Sequence, residues 1–302
     1  MMKREVSWNM QVVTKAAELN QIIKKYKKDG KIVGLVPTMG ALHKGHKSLM
    51  DAARKECDIV VTSVFVNPTQ FGANEDFDKY PRVFEKDMEV CKEAGCDIIF
   101  HPTPSEMYPE YDDNKPLKEN LHVKELSYIV KVPEKYTNKL CGKSRPGHFD
   151  GVCTVVSKLF HIVKPDKAYF GQKDIQQLII IKNMCKNLNM DIEIQGCPIV
   201  REDSGLALSS RNSYLSDVQK IAASSIFKVL SNIELMFNEG ITDKQQVFSE
   251  SLKFLAEGIE IEYLEVCDVN TLDYCQKIGH NNFVAIAAKV GNVRLIDNVV
   301  LS

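Results

Sequence analysis

Two histidines three positions apart lie in the segment Pro37-Thr38-Met39-Gly40-Ala41-Leu42-His43-Lys44-Gly45-His46. The segment falls where a short buried strand, Ile32 to Val36, passes into a helix expected over Lys44 to Glu56. In parallel α/β sheets, ligands bind beyond the carboxyl ends of strands. A helix start there offers unpaired N–H groups and positive dipole potential, which suit phosphate. Gly40 and Gly45 let the backbone come close to a ligand. His43 and His46 can hydrogen-bond phosphate oxygens and offset charge in a transition state. Read alone, His-x-x-His is more often a cap or a core pair. It also fits two zinc ligands, but no third is apparent. Its place between strand and helix raises the phosphate reading above these.

Four other segments are rich in donors. Phe170-Gly171-Gln172-Lys173-Asp174 is again a strand end entering a helix; Lys173 is a mobile point charge that can reach phosphate oxygens, although taken alone it reads better as a surface lysine at a helix start. Leu208-Ser209-Ser210-Arg211-Asn212 puts two hydroxyls beside a guanidinium, a dense phosphate-donor cluster that serves equally well as a helix cap. Val66-Asn67-Pro68-Thr69-Gln70-Phe71-Gly72 sets a neutral amide, Gln70, at the tip of the next strand, where it suits a polar substrate. Arg145-Pro146-Gly147-His148 adds an anion-competent pair. Three of these five segments sit at predicted strand ends, and the sheet should gather them along one edge.

The elements that must position them follow from periodicity. Helices are expected over Thr14–Asp29, Val83–Ala94, Val152–Val163 and Ile175–Leu188. Strands are expected at Ile59–Val66, Asp97–Phe100, Ala168–Phe170 and Ile192–Ile194, with Pro37 closing the first strand. Alternating strands and helices indicate a parallel α/β sheet. Residues 103–150 read as loops around a short strand at Tyr128–Val132. Beyond Pro198, helices at Ser216–Asn238 and Asp243–Ala256 precede strands at Ile261–Val266, Phe283–Lys289 and Val293–Ile296, the order of a separate α+β domain. The 302 residues, at about 150 per domain, also suggest two. The expected division is residues 1–197 and 198–302.

Charge and composition exclude other classes. Thirty-nine Lys and Arg against 40 Asp and Glu leave a net charge of −1, no basis for a nucleic-acid surface. The Lys24, Lys25, Lys27, Lys28 run reads as a solvated helix face. The longest apolar run, Phe283 to Ala288, is far short of the roughly 20 residues of a membrane span. The first ten residues lack the apolar core of a signal peptide. Nine cysteines without a Cys-x-x-Cys pair read as reduced, mostly buried thiols in a cytoplasm.

The five segments in this order, with Arg145-Pro146-Gly147-His148 continuing through Phe149-Asp150-Gly151-Val152, resemble the pantothenate synthetase (pantoate–β-alanine ligase) family. That family lies within the nucleotidylyltransferases that share His-x-Gly-His. The resemblance runs from about residue 10 to 215 and continues to Arg294-Leu295-Ile296-Asp297-Asn298. It implies a Rossmann-like N-terminal domain, a smaller α+β C-terminal lid and a homodimer. It implies that pantoate and ATP, with Mg²⁺, form pantoyl adenylate and pyrophosphate, and that β-alanine then displaces AMP. Residue by residue, it gives Met39, Gly40, Ala41, Leu42, His43, Lys44, Gly45 and His46 to ATP, with His46 at the family's proton-donor position. Gly171, Gln172, Lys173 and Asp174 match a second ATP segment; Val200, Leu208, Ser209, Ser210 and Arg211 match a third. Gln70 and Gln177 match the pantoate glutamines, with Gln70 also near β-alanine. Catalysis would fall to His43, His46, Lys173 and Arg211, while the protein groups holding Mg²⁺ stay open. Many relatives have an acidic residue in place of Gln172, and the stretch 111–140 looks long for the family, as a flap or dimer surface would be.

Two other readings compete. Another nucleotidylyltransferase would take a phosphate substrate, for which the neutral Gln70 and Gln177 are ill suited. A non-catalytic nucleotide sensor would not need His43, His46, Lys173 and Arg211 intact.

Overall fold

The computed structural model describes residues 10–72, 75–120 and 123–301. The expectation for the first ten residues therefore falls almost wholly outside the described part, as do residues 121 and 122 of the long segment. The chain forms two compact units. The first takes the residues up to Lys131, Gly147–Phe170 and Met184–Cys197. The second takes Val132–Pro146, Gly171–Asn183 and Pro198 onward. Pro198 thus begins the last stretch of the second unit, and two earlier stretches group with it.

In chain order the elements are β1 (Gln11–Val13), α1 (Ala16–Lys28), β2 (Val33–Thr38), α2 (Lys44–Glu56), β3 (Ile59–Val64), α3 (Phe84–Glu93), β4 (Ile98–Phe100), α4 (Pro104–Met107), α5 (Val123–Leu126), α6 (Glu134–Thr137) and α7 (Leu140–Ser144). There follow α8 (His148–Val163), β5 (Lys167–Gly171), α9 (Ile175–Asn187), β6 (Glu193–Cys197), α10 (Asp217–Asn238), α11 (Lys244–Leu252), β7 (Ile259–Asp268), β8 (Asn282–Val290) and β9 (Val293–Leu301).

The first unit holds a sheet in the order β1-β4-β3-β2-β5-β6, with parallel pairing from β1 through to β5. Strand β3, Ile-Val-Val-Thr-Ser-Val, is buried at every position, as a strand covered on both faces requires. From β2 the chain builds outward one way through β3 and β4, and then the other way through β5 and β6. The carboxyl end of β2 is therefore at the topological switch point, where open α/β sheets bind ligands.

Two expectations change. Pro37 does not end its strand: it pairs with Ser63 inside β2. Thr38 N–H points to Ser63 Oγ, so by strand alternation the missing N–H of Pro37 falls on the β5 side. Pairing there is confined to Gly34 and Leu35, so no ladder bond is lost. Tyr128–Val132 is not a strand. Val130 N–H donates to Thr154 Oγ1 and Lys131 pairs with Asp150, side-chain partners in place of a ladder. The flanking sequence forms short helices. Strand β1, three residues on the sheet edge, had no signal of its own. The long segment is packed: Asn120 Nδ2 donates to the carbonyls of Asp112, Lys115 and Pro116. Leu117 joins Phe71, Phe77 and Tyr80 in a cluster that Met39 and Val66 border.

The second unit has an antiparallel sheet, β7-β8-β9. Val229 and Ile233 of α10 share a core with Val284, Ile286 and Ala288 of β8. Helix α10 starts with a reciprocal cap: Gln219 N–H donates to Ser216 Oγ, and Ser216 N–H to Gln219 Oε1. All nine cysteines are free thiols and eight are buried, as expected.

Helix α8 carries the contact that matters most for the site. It packs on the 3-10 turn Pro68–Gln70, and a Cβ at Gly151 would lie 2.4 Å from Thr69 O. Gly151→Ala should therefore cost about 1–3 kcal/mol, read as a lower urea midpoint.

Candidate active site

In the first unit, the site is built on the turn after β2. Thr38 Oγ1 donates to Ser63 O at 2.6 Å and accepts Gly40 N–H at 3.2 Å. Gly40 and Ala41 both have positive φ, +81° and +50°. A Cβ at Gly40 would lie 2.9 Å from Asp87 Oδ2 and 3.2 Å from Val64 Cγ1, so only glycine fits. The turn is held by a residue the sequence reading missed. Asp87, buried on α3, accepts Ala41 N–H at 3.1 Å and Leu42 N–H at 2.7 Å. Burial pushes its carboxyl pKa up, and the two N–H groups, Leu42's first, pull it back. The signal was present: Asp87 sits three residues after Phe84 and four before Cys91, an acid on an apolar helix face.

The two histidines cap α2 reciprocally. His43 Nδ1 accepts Gly45 N–H at 3.1 Å, and His46 Nδ1 accepts His43 N–H at 3.3 Å. The rings stand 4.1 Å apart. The cap reading and the anion reading are thus compatible. With each Nδ1 accepting, the neutral rings carry hydrogen on Nε2 and become donors from that edge.

Gln70 lies beside this turn. Its Nε2 donates to Met39 Sδ at 3.1 Å, and its Oε1 accepts Asn67 Nδ2–H at 2.9 Å. Asn67, also overlooked, fixes the orientation. Its Oδ1 accepts from Thr69 N–H, Thr69 Oγ1 and Tyr108 OH, so its Nδ2 must donate to Gln70. His148 backs the same turn, its Nδ1–H donating to Gln70 O at 2.9 Å. The anion-competent role expected of His148 gives way to a buried clamp.

In the second unit, the chain leaving β5 makes a 3-10 turn, Gln172–Asp174. Asp174 Oδ1 accepts Gln177 N–H at 3.2 Å, which caps α9. The Gln177 side chain makes no hydrogen bond among the described residues. Lys173 is partly exposed as a residue, but its ammonium is enclosed. Burial lowers its pKa; Asp297 and Asp174 oppose this, and the Arg211 charge adds to it. Neither carboxylate forms an ion pair with it. The 3-10 turn Ser210–Tyr214 follows a short hairpin in which Leu208 N–H donates to Val200 O. Ser209 Oγ caps it, accepting Arg211 N–H at 3.2 Å. Lys173 thus carries its charge where burial disfavours it, with the second positive charge of Arg211 acting on it.

Among the described residues, no three His, Cys, Asp or Glu side chains could hold a metal ion together. A Mg²⁺ that keeps its waters and rides on substrate phosphates needs no such cage.

A doubly wound sheet with a donor-rich helix start at its switch point defines a nucleotide-binding α/β protein. The family model described as pantoate-beta-alanine ligase matches residues 11–300, and the chain belongs to that family. It is 46% identical to the pantothenate synthetase of Caldicellulosiruptor bescii over 294 residues, 97% of this chain and 99% of that one. It is also 46% identical to that of Thermotoga petrophila, over 97% and 100%. Among solved structures, the pantothenate synthetase of Thermus thermophilus superposes with a TM-score of 0.86 at 38% identity, over 96% of this chain and 99% of that one. The ligase of Francisella tularensis, solved with Beta-gamma ATP and Beta-alanine, gives 0.77 at 32%, over 97% and 98%.

Asp87→Ala should strand the N–H groups of Ala41 and Leu42, at about 1–3 kcal/mol each. The measurement is the urea midpoint of the variant against the parent chain.

Proposed function

We propose that this ligase condenses pantoate with β-alanine in two steps. A pantoate carboxylate oxygen attacks the α-phosphorus of MgATP, and the bond to the bridging oxygen breaks, releasing pyrophosphate. The β-alanine amine then attacks the acyl carbon of the adenylate. It loses a proton, AMP leaves, and pantothenate remains.

The helix start at the switch point carries this reading. Met39 to His46 would cradle phosphate with backbone N–H groups and the Nε2–H of His43 and His46. Charge neutralisation serves the pyrophosphate leaving group better than a proton from His46. Lys173 and Arg211, with the hydroxyls of Ser209 and Ser210, would meet the charge that builds on the leaving group. Gly171, Gln172 and Asp174, with Val200 and Leu208, complete the nucleotide segments. Gln70 suits pantoate because its donor is oriented by Asn67 and spent only on a thioether, a weak acceptor that a substrate oxygen displaces readily. The resemblance also gives Gln177 to pantoate, and Gln70 to β-alanine as well. Mg²⁺ supplies charge stabilisation on the phosphates. A homodimer in the cytoplasm completes the proposal; the free thiols fit a reducing compartment.

The deciding assay is pyrophosphate exchange into ATP with pantoate and without β-alanine. Pantoate-dependent exchange is expected, and its absence overturns the reading. Lys173→Ala should cut exchange by roughly 10²-fold or more while the chain stays folded; near-normal exchange removes Lys173 from the mechanism.

A pH profile gives a separate check. Lys173 must be charged to work, and its pKa is lowered, chiefly by burial. The kcat/KM for MgATP should therefore begin to fall, as pH rises, below the usual lysine range. Lys173→Arg should abolish that limb, since a guanidinium stays charged.

A further inference from the structure

The sequence resemblance extends to Asp297 and Asn298, yet neither has a role in the reading above. Both lie in β9 of the second unit, and both are buried. Asn298 Nδ2 donates to Gln172 O at 2.9 Å and to Lys173 O at 3.0 Å, so both of its N–H bonds go to the turn that carries Lys173. No donor among the described residues reaches its Oδ1. The residue is used for its two donors, aimed at one short piece of backbone.

Asn298 is itself held in place. Its N–H donates to Asp297 Oδ1 at 2.8 Å. Asp297 in turn takes a two-pronged bond from Arg201, at 2.5 and 3.0 Å, and Arg201 lies over the Phe227 ring. Lys173 and Asp297 line one small cavity with Ala207 and Phe227. We propose that Asn298 is a positioning residue for adenylation: it fixes the backbone from which Lys173 reaches the nucleotide. This rests on the role given to Lys173 above.

A double-mutant cycle tests it. Pantoate-dependent exchange is measured for the full chain, Asn298→Ala, Lys173→Ala and the double variant, with thermal unfolding of each. Asn298→Ala should lower the exchange rate by about 10- to 100-fold, the scale of a misplaced catalytic group, and leave the KM for pantoate unchanged. The double variant should be no slower than Lys173→Ala alone. Asn298→Ser keeps one donor and should fall in between; it carries the same cycle if Asn298→Ala does not fold. Equal losses from the Asn298 change in both backgrounds would mean that it does not act through Lys173, and would overturn the proposal. So would unchanged exchange in folded Asn298→Ala when Lys173→Ala is slow. If Lys173→Ala itself exchanges normally, the role of Lys173 is what fails, and the positioning claim falls with it.

Discussion

A chain that leaves a buried strand and must enter a helix within five residues has to turn sharply, and at Gly40 and Ala41 it does so through positive φ. Two N–H groups then point away from any strand or helix partner. The Asp87 carboxylate takes both of them. Without that acceptor the turn would hold unpaired donors in a half-buried place, which proteins seldom tolerate. The direction of α2, the adjacent rings of His43 and His46 and the position of Met39 all depend on this arrangement. So does Gln70, whose donor rests on the Met39 sulfur.

A second constraint operates around Gln70. An amide that is to bind substrate, as proposed for Gln70, must present a known end, and glutamine can flip. The Asn67 hub removes the ambiguity: three donors converge on its oxygen, so its nitrogen must face Gln70. The tight seat of Gly151 under Thr69 and the His148 bond to the Gln70 carbonyl hold the turn from below.

Long periodic elements were legible in the sequence. Helix α2 matched its expected ends, and α1, α3 and α10 did so within about two residues, because an apolar stripe with a cap or a glycine stop is a local signal. Strand β1 was not legible: three residues paired to a strand 87 positions away leave no local pattern. The strand expected at Tyr128–Val132 shows the converse, a β-branched run with no partner strand to pair with. The histidines, Lys173 and Arg211 were visible by residue type and flanking elements. Asp87, Asn67 and Asn298 were harder to see: Asp87, despite its place as an acid on an apolar helix face, and Asn298 both serve backbone far away in sequence, and Asn67 acts only by orienting Gln70.

The second unit solves a different electrostatic problem. A lysine kept in a desolvated place usually acquires a carboxylate, and its charge is then spent inside the protein. Here the nearby Asp297 is committed elsewhere. Arg201 binds both of its oxygens, and the Asn298 N–H adds a third bond to one of them. Asp297 therefore shifts the Lys173 pKa from a distance without forming an ion pair with it. The lysine charge stays uncompensated by a direct partner, and Arg211 adds a second positive field. Under the role proposed for Lys173, a charge so poised would attract an anion most strongly where negative charge is most concentrated, on a departing pyrophosphate.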